Sequence, residues 1–250
     1  MQTVGAEQSS LKVSIKEKKF THQQSEKIVL SKVEFEVLAN ELTVITGPSG
    51  CGKSTLLNII AGLDDQFSGS VSRPSYAIDS IPISYVFQDP TLLPWETIER
   101  NITLVNPSLE TDQAALDKLL ASLGLTGTKN KYPRKLSLGM ARRVALARAF
   151  SAQAPVLLLD EPFVSLDELT AETLRKLLLQ QLQQRQMMAV FVTHNLREAL
   201  FLADRLIILG DTPTSVVENI AFEAGTRGRA LEQVESLRNQ LIQDYAWILG

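Results

Sequence analysis

The chain is poor in the groups that staple or anchor many other proteins. Cys51 is the only cysteine in 250 residues, so no disulfide can form within the chain, and a reducing compartment is expected. Two histidines, His22 and His194, are too few for a histidine-built metal site. No apolar run nears the roughly 18–20 residues needed to span a bilayer. Residues 1–7 lack the basic and apolar parts of a signal peptide. Lys and Arg number 25 against 28 Asp and Glu, for a net charge of -3, and they are scattered rather than clustered. Nothing therefore marks a nucleic-acid face, and no nucleic-acid partner is expected. No internal repeat, coiled coil or low-complexity tract is present. What remains is an ordinary globular composition, 44% hydrophobic and 21% charged, in a chain long enough to bury a substantial core.

One stretch organises the rest: Gly47, Pro48, Ser49, Gly50, Cys51, Gly52, Lys53, Ser54 and Thr55, which fits G-x-x-x-x-G-K-[ST]. Residues 42–46 before it read as a buried strand, and residues 56–61 after it as a helix ended by Gly62. A strand-loop-helix of this kind aims backbone N–H groups and a helix N-terminus at one point, which suits a polyanion. Lys53 would reach the β- and γ-phosphates and the Ser54 hydroxyl would ligate Mg²⁺. A chance match to the bare pattern in a chain of this length arises about 1% of the time, and the strand-helix context lowers that further. Nucleotide binding follows.

Residues 1–10 read as a loose polar tail. Alternation over residues 11–15 and 33–37 predicts short half-exposed antiparallel strands, with Phe20 ending the first segment. Residues 70–72 and 83–87 predict two more, separated by loops bearing Pro74 and Pro82. The pattern turns helical over 98–104, over 111–123, and from Leu136 to about Ala152. Buried strands return at 156–160, 189–193 and 206–209. Helices are predicted over 170–186, with Leu174, Leu177, Leu178 and Leu182 on one side, over 195–203 and over 229–249. Strands alternating with helices argue for a parallel sheet with right-handed crossovers.

Asp160 and Glu161 follow the 156–160 strand. Two acids at a strand end can be a solvated turn; downstream of a phosphate loop, the first can hold Mg²⁺ and the second can orient water. His194 follows the 189–193 strand, at the edge where open α/β sheets bind ligands. It reads equally as a structural histidine or as a contact to the γ-phosphate. Gln88 follows another strand and can offer Mg²⁺ an oxygen.

The order GPSGCGKST, VFQDP, LSLGM, VLLLDEP, SLD and VTHN resembles the ATP-binding subunits of ABC transporters over nearly the whole chain. Leu92, Leu93, Pro94 and Trp95 after Gln88, and Tyr132-Pro133 before LSLGM, are similar to the branch serving nitrate, sulfonate and taurine importers. The resemblance implies ATP with Mg²⁺, Phe20 stacking on adenine, and Gln88 sensing the γ-phosphate and the metal. An ordinary core phenylalanine is the alternative for Phe20. It further implies Asp160 on Mg²⁺, Glu161 activating water, His194 holding the γ-phosphate, and Asp167 reaching the other subunit. Ser137 and Gly139 would face the phosphate loop of a second copy. Ser137 is a good N-cap, and the helix after it would point its positive end at the γ-phosphate.

The implied fold is a P-loop α/β core with a parallel sheet, an antiparallel β subdomain and a helical subdomain. Its expected parts are a 1–10 tail, a core of 11–90 and 151–220, a helical insert of 91–150 and a helical extension of 221–250. The implied activity is ATP hydrolysis in a two-fold dimer, a homodimer by expectation, docked on a transmembrane permease at the cytoplasmic face of the cell membrane. An extracytoplasmic solute-binding protein would deliver a small solute. Export, lipid trafficking and small-molecule phosphoryl transfer are the competing readings. Trp95, Leu92 and Leu93 either meet the membrane partner or pack the subdomain. Three residues depart from the family pattern: Leu138 for the first signature glycine, Met140 for glutamine, and Asn195 for the aspartate after the histidine. Leu138 leaves the site working if its side chain points away. Cys51, beside Lys53 at a helix N-terminus, is expected to favour its thiolate.

Overall fold

The computed structural model describes residues 10–22, 25–73, 83–185, 187–223 and 225–246. In chain order the first elements are β1 (Ser10–His22), β2 (Ser25–Leu38), β3 (Leu42–Thr46), α1 (Lys53–Ala61) and β4 (Ser68–Ser72). Next come β5 (Ile83–Val86), α2 (Ile98–Thr103), α3 (Ser108–Thr111), α4 (Gln113–Ser122), α5 (Leu138–Ser151), β6 (Val156–Asp160) and α6 (Glu168–Arg185). The last are β7 (Met188–Val192), α7 (Leu196–Leu202), β8 (Arg205–Gly210), β9 (Ser215–Ala221) and α8 (Leu231–Asp244). Residues 1–77 and 186–250 make one compact unit, and 78–185 a second. The polar tail, apart from Ser10, and the proline-bearing 74–82 connection lie outside the described residues.

In the first unit β3 lies between two parallel neighbours, β7 and β8, and β9 pairs antiparallel to β8. Every residue of β3 and β7 is buried, Thr43 and Thr46 of β3 included, as the mostly apolar runs predict. Each fully buried Val, Leu or Ile there contributes roughly 1.5–3 kcal/mol. A separate antiparallel sheet has the order β2-β1-β4. The 211–214 turn is tied to β2, with Ser31 N–H donating to the Thr214 carbonyl at 2.8 Å and Thr214 N–H to that of Val29 at 3.0 Å.

The strands β1 and β2 run 13 and 14 residues, far longer than the short segments expected. A bulge accounts for the difference. Against β4, Ile15 pairs with Gly69 but Glu17 with Ser68, so Lys16 is an extra residue on β1. Leu11, Val13 and Ile15 are buried before it, and Lys18 is the next buried residue after it. The inward face changes from odd to even positions, and a period-two reading stops there. Strand β9 was not expected; its residues are half-buried or exposed and carry no clean alternation.

In the second unit β5 and β6 pair in parallel, and α5 packs beside β5, where the Ser84 hydroxyl donates to the Ala149 carbonyl at 3.2 Å. The helix expected over 111–123 is instead α3 and α4, because the Asp112 carboxylate caps α4 by accepting from Ala115 N–H at 3.0 Å. Helix α5 begins at Leu138 rather than Leu136, with Ser137 as its N-cap. On α6, Leu174, Leu178 and Leu182 are buried, while Leu177 is only half-buried. In the first unit α8 starts at Leu231 rather than at 229, and 247–249 of the expected helix lie outside the described residues.

Gly69 sits with φ +134 against β1, where a Cβ would lie 2.1 Å from the Ser14 carbonyl oxygen. Gly69→Ala must part β4 from β1. It is expected to cost more than about 2 kcal/mol in urea unfolding, and an unchanged midpoint would contradict the pairing.

Candidate nucleotide site

In the first unit the loop 47–52 joins the end of β3 to the start of α1. Gly47 lies so close to β8 that a Cβ would come within 2.4 Å of the Leu209 carbonyl oxygen. No side chain fits there. The buried Lys53 ammonium is cradled by the loop itself, donating to the carbonyls of Gly47 at 2.9 Å and Pro48 at 2.8 Å. Ser49, Gly50 and Ser54 are exposed, and Thr55 is half-buried. The N-cap of α1, Gly52, offers no side-chain hydrogen bond, so the first N–H groups of this helix have no side-chain acceptor competing for them. Residues Lys27 and Val29 join Ser49, Gly50, Cys51 and Pro213 around a cavity of about 210 Å³ beside the loop.

Strand register places His194 beside this loop. Ile45 of β3 pairs with Val192 of β7, so Gly47 and His194 each stand two residues past a paired position. Thr193 N–H donates to the Ile45 carbonyl at 3.2 Å, which continues the ladder to the sheet edge. His194 is exposed there. Asn195 turns the chain into α7: its side-chain oxygen accepts from Arg197 N–H at 3.0 Å and Glu198 N–H at 3.2 Å. An amide oxygen caps a helix as a carboxylate does, so Asn195 in place of aspartate leaves the turn intact. Phe20, on β1 opposite Lys27, is 47% exposed rather than a core residue.

In the second unit Val86 pairs with Leu159, so Gln88 and Glu161 stand at one level beyond β5 and β6, next to Asp160 at the end of β6. Asp160 is buried, and Glu161 takes a left-handed backbone with φ +47, which is uncommon for a side chain of its size. Tyr85, which the sequence did not single out, stacks on Phe87 with ring centroids 3.9 Å apart. Burial, followed by the Asp160 charge, pushes its phenol well above the ordinary range, so it stays a neutral neighbour of that carboxylate.

The Ser137 hydroxyl accepts from Met140 N–H at 3.2 Å and opens α5. Gly139 is packed on Leu166, whose Cδ2 would lie 3.2 Å from a Cβ at that position. The Leu138 side chain is 53% exposed and so points away from the body of the unit. Asp167 caps α6, accepting from Thr170 N–H at 2.9 Å, and that bond holds its carboxyl below the usual carboxylate range. Among the described residues, no three His, Cys, Asp or Glu side chains gather as a metal site.

Residues 30–164, more than half of the chain, match the family described as ABC transporter. The chain belongs to the ABC transporter family. Aliphatic sulfonates import ATP-binding proteins of Burkholderia cenocepacia, Bacillus subtilis and Pseudomonas aeruginosa are 38%, 36% and 43% identical to it over 223, 240 and 225 residues. Those alignments cover 88%, 93% and 86% of this chain, and 83%, 93% and 90% of the relatives. Among solved structures, a dimeric ATP-binding cassette in a post-hydrolysis state, bound to ADP and Pi, superposes with a TM-score of 0.74 at 29% identity. A dimeric bacterial ABC transporter cassette gives 0.76 at 29%. Each covers 86% of this chain and 99% of the other. The mixed α/β fold is that of an ABC ATPase, and ATP is its nucleotide.

One expectation for this ABC ATPase is corrected. Burial pushes the Cys51 thiol up, and the opposing charge of Lys53, whose ammonium lies 4.0 Å from Sγ, does not offset it. Desolvation of a thiolate in the half-buried loop outweighs one nearby cation that is already engaged by carbonyls. A raised value means less thiolate at neutral pH. Iodoacetamide labelling at pH 7 is therefore expected to be slower than for a free thiol and to rise about tenfold per pH unit up to the raised value. Mg-ATP should slow it further. Labelling faster than that of a free thiol would contradict the burial.

Proposed function

We propose that this chain is the ATP-hydrolysing subunit of an importer for a small organic anion of the sulfonate type. The observation that carries this reading is the near-full-length similarity to proteins named for aliphatic sulfonate import. The protein works as a two-fold dimer, as the neighbouring cassettes are dimeric. It docks peripherally on a transmembrane permease at the cytoplasmic face of the membrane, and an extracytoplasmic binding protein delivers the solute. No helix among the described residues is long and apolar enough to cross a membrane, so membrane attachment through a partner agrees with this reading.

In this reading the loop from Gly47 to Thr55 wraps the phosphates with backbone N–H groups, and the Lys53 ammonium exchanges its carbonyl partners for phosphate oxygens. Phe20 supports adenine. The Ser54 hydroxyl, the Asp160 carboxylate and the Gln88 amide oxygen are hard oxygen donors, a set that fits Mg²⁺. These residues would hold Mg²⁺, which would supply charge neutralisation for the phosphates. Glu161 orients and deprotonates the attacking water, and His194 holds the γ-phosphate. Ser137, Gly139 and Asp167 serve the nucleotide held by the other protomer, with the Leu138 N–H at the start of α5 still able to donate because its side chain points away. Loss of the γ-phosphate removes the shared anion and lets the protomers part.

Trp95 supports the permease side of the proposal. It is 70% exposed, which favours a contact with a partner over packing within the subdomain. Its loop is nonetheless rigid: fully buried Asn101 accepts from Leu93 N–H at 2.8 Å and donates to the carbonyls of Leu93, Glu96 and Thr97. An aromatic held outward on a stiff loop is what a docking contact requires.

Glu161→Gln is expected to cut ATP turnover at least about 100-fold and, with Mg-ATP, to accumulate dimer in analytical ultracentrifugation. A Glu161→Gln chain that hydrolyses normally would remove Glu161 from the chemistry. Trp95→Ala should keep ATP affinity in the isolated protein but abolish solute uptake by the reconstituted transporter. Unchanged uptake would contradict the docking role.

A further inference from the structure

Lys18 is a cation in an unusual place. It stands on a β-strand yet is only 2% exposed, whereas its neighbour Lys19 is 41% exposed and pairs with Glu17 and Glu26 near the surface. A buried ammonium is costly unless it is fully engaged. Here the Nζ donates to the Asp64 carboxylate at 2.7 Å and the Gln66 carbonyl at 2.9 Å, and lies 4.6 Å from the centre of the Phe20 ring. The bulge at Lys16 brings this about. Without that extra residue, Lys18 and Phe20 would both fall on the opposite face of β1.

The anchor is not a neighbouring strand but the far end of the phosphate-loop helix. Asp64 follows Gly62, the C-cap of α1, and Asp64 N–H donates to the Asn58 carbonyl at 3.3 Å. Asp64 also accepts from Gln66 N–H at 3.0 Å, so the carboxylate is itself fixed. The helix that starts at Lys53 thus holds, through Asp64 and Lys18, the ring of Phe20. One part of the ring meets the ammonium while nearly half of the residue stays open to solvent.

We infer that Lys18 is a positioning residue for the nucleobase: clamped by Asp64, it sets the plane of Phe20 and its place relative to the phosphate loop. The inference rests on the proposed reading of Phe20 as the support for adenine and extends it to a residue that never touches the nucleotide. A cation behind an aromatic ring fixes the ring by cation–π attraction and leaves the other face free to stack. The clamp couples the base and phosphate subsites through a single rigid helix. Stacking then needs little ordering of the ring when ATP arrives.

Equilibrium binding of Mg-ATP and of Mg-tripolyphosphate tests this, because only the first carries a base. Lys18→Met is expected to weaken Mg-ATP by about threefold to tenfold and tripolyphosphate by less than about twofold, with Lys18→Arg close to the original protein. Phe20→Ala should weaken Mg-ATP at least as much, and the double variant no more than Phe20→Ala alone. If Phe20→Ala leaves Mg-ATP affinity unchanged, the reading of Phe20 falls and the inference with it. If Phe20→Ala weakens Mg-ATP but Lys18→Met does not, or weakens both probes equally, or adds fully to Phe20→Ala, the positioning role alone is overturned. Should Lys18→Met fail to fold, Asp64→Asn removes only the anchoring charge and must show the same preference for weakening Mg-ATP.

Discussion

The loop between β3 and α1 depends on one close approach: Gly47 against the carbonyl of Leu209, at a distance no Cβ permits. Because β3 has parallel partners on both sides, its end is fixed, and the chain must leave the sheet at that point. The turn that follows brings the Gly47 and Pro48 carbonyls onto the buried Lys53 ammonium. Carbonyl oxygens carry no net charge, so they leave the cation most of its field. With the N-terminus of α1 beside it, the loop forms a positive concavity before any anion arrives.

The same logic of strand ends orders the other chemistry-bearing residues. In the first unit, register puts His194 level with Gly47; in the second, it puts Gln88 level with Glu161 beside Asp160. Parallel pairing guarantees this, since all strand ends of one polarity lie on one edge. Helix caps finish the job. Asn195, Ser137 and Asp167 each spend a side-chain acceptor on starting a helix, which fixes the backbone of the turn they stand in. These turns therefore carry functional groups on constrained backbone rather than on loose loops.

Much of this was legible because buried parallel strands and phosphate loops write themselves in local sequence. The runs at 42–46, 156–160 and 189–193 are mostly apolar on both faces, and the loop pattern has fixed spacing. What was illegible has a common cause in non-local partners. The alternation of β1 breaks at Lys16 only because β4 pairs across it with one residue fewer. Strand β9 is defined by its ladder to β8, not by its own pattern. The break at Asp112 turns on which acceptor Ala115 N–H finds. The Cys51 thiol departs from expectation because charge proximity is visible in sequence, whereas desolvation is not.

By itself the sequence determined the phosphate loop, the α/β class, the acids at the end of β6 and the family. Each of these follows from residues adjacent along the chain, whose spacing sets their geometry once a strand or helix forms. Only the tertiary structure decided that Lys18 is buried and clamped behind Phe20, that Trp95 is exposed on a loop tied to Asn101, and that burial raises the Cys51 thiol. Burial and cross-strand register depend on segments distant in sequence, so no local pattern could carry them.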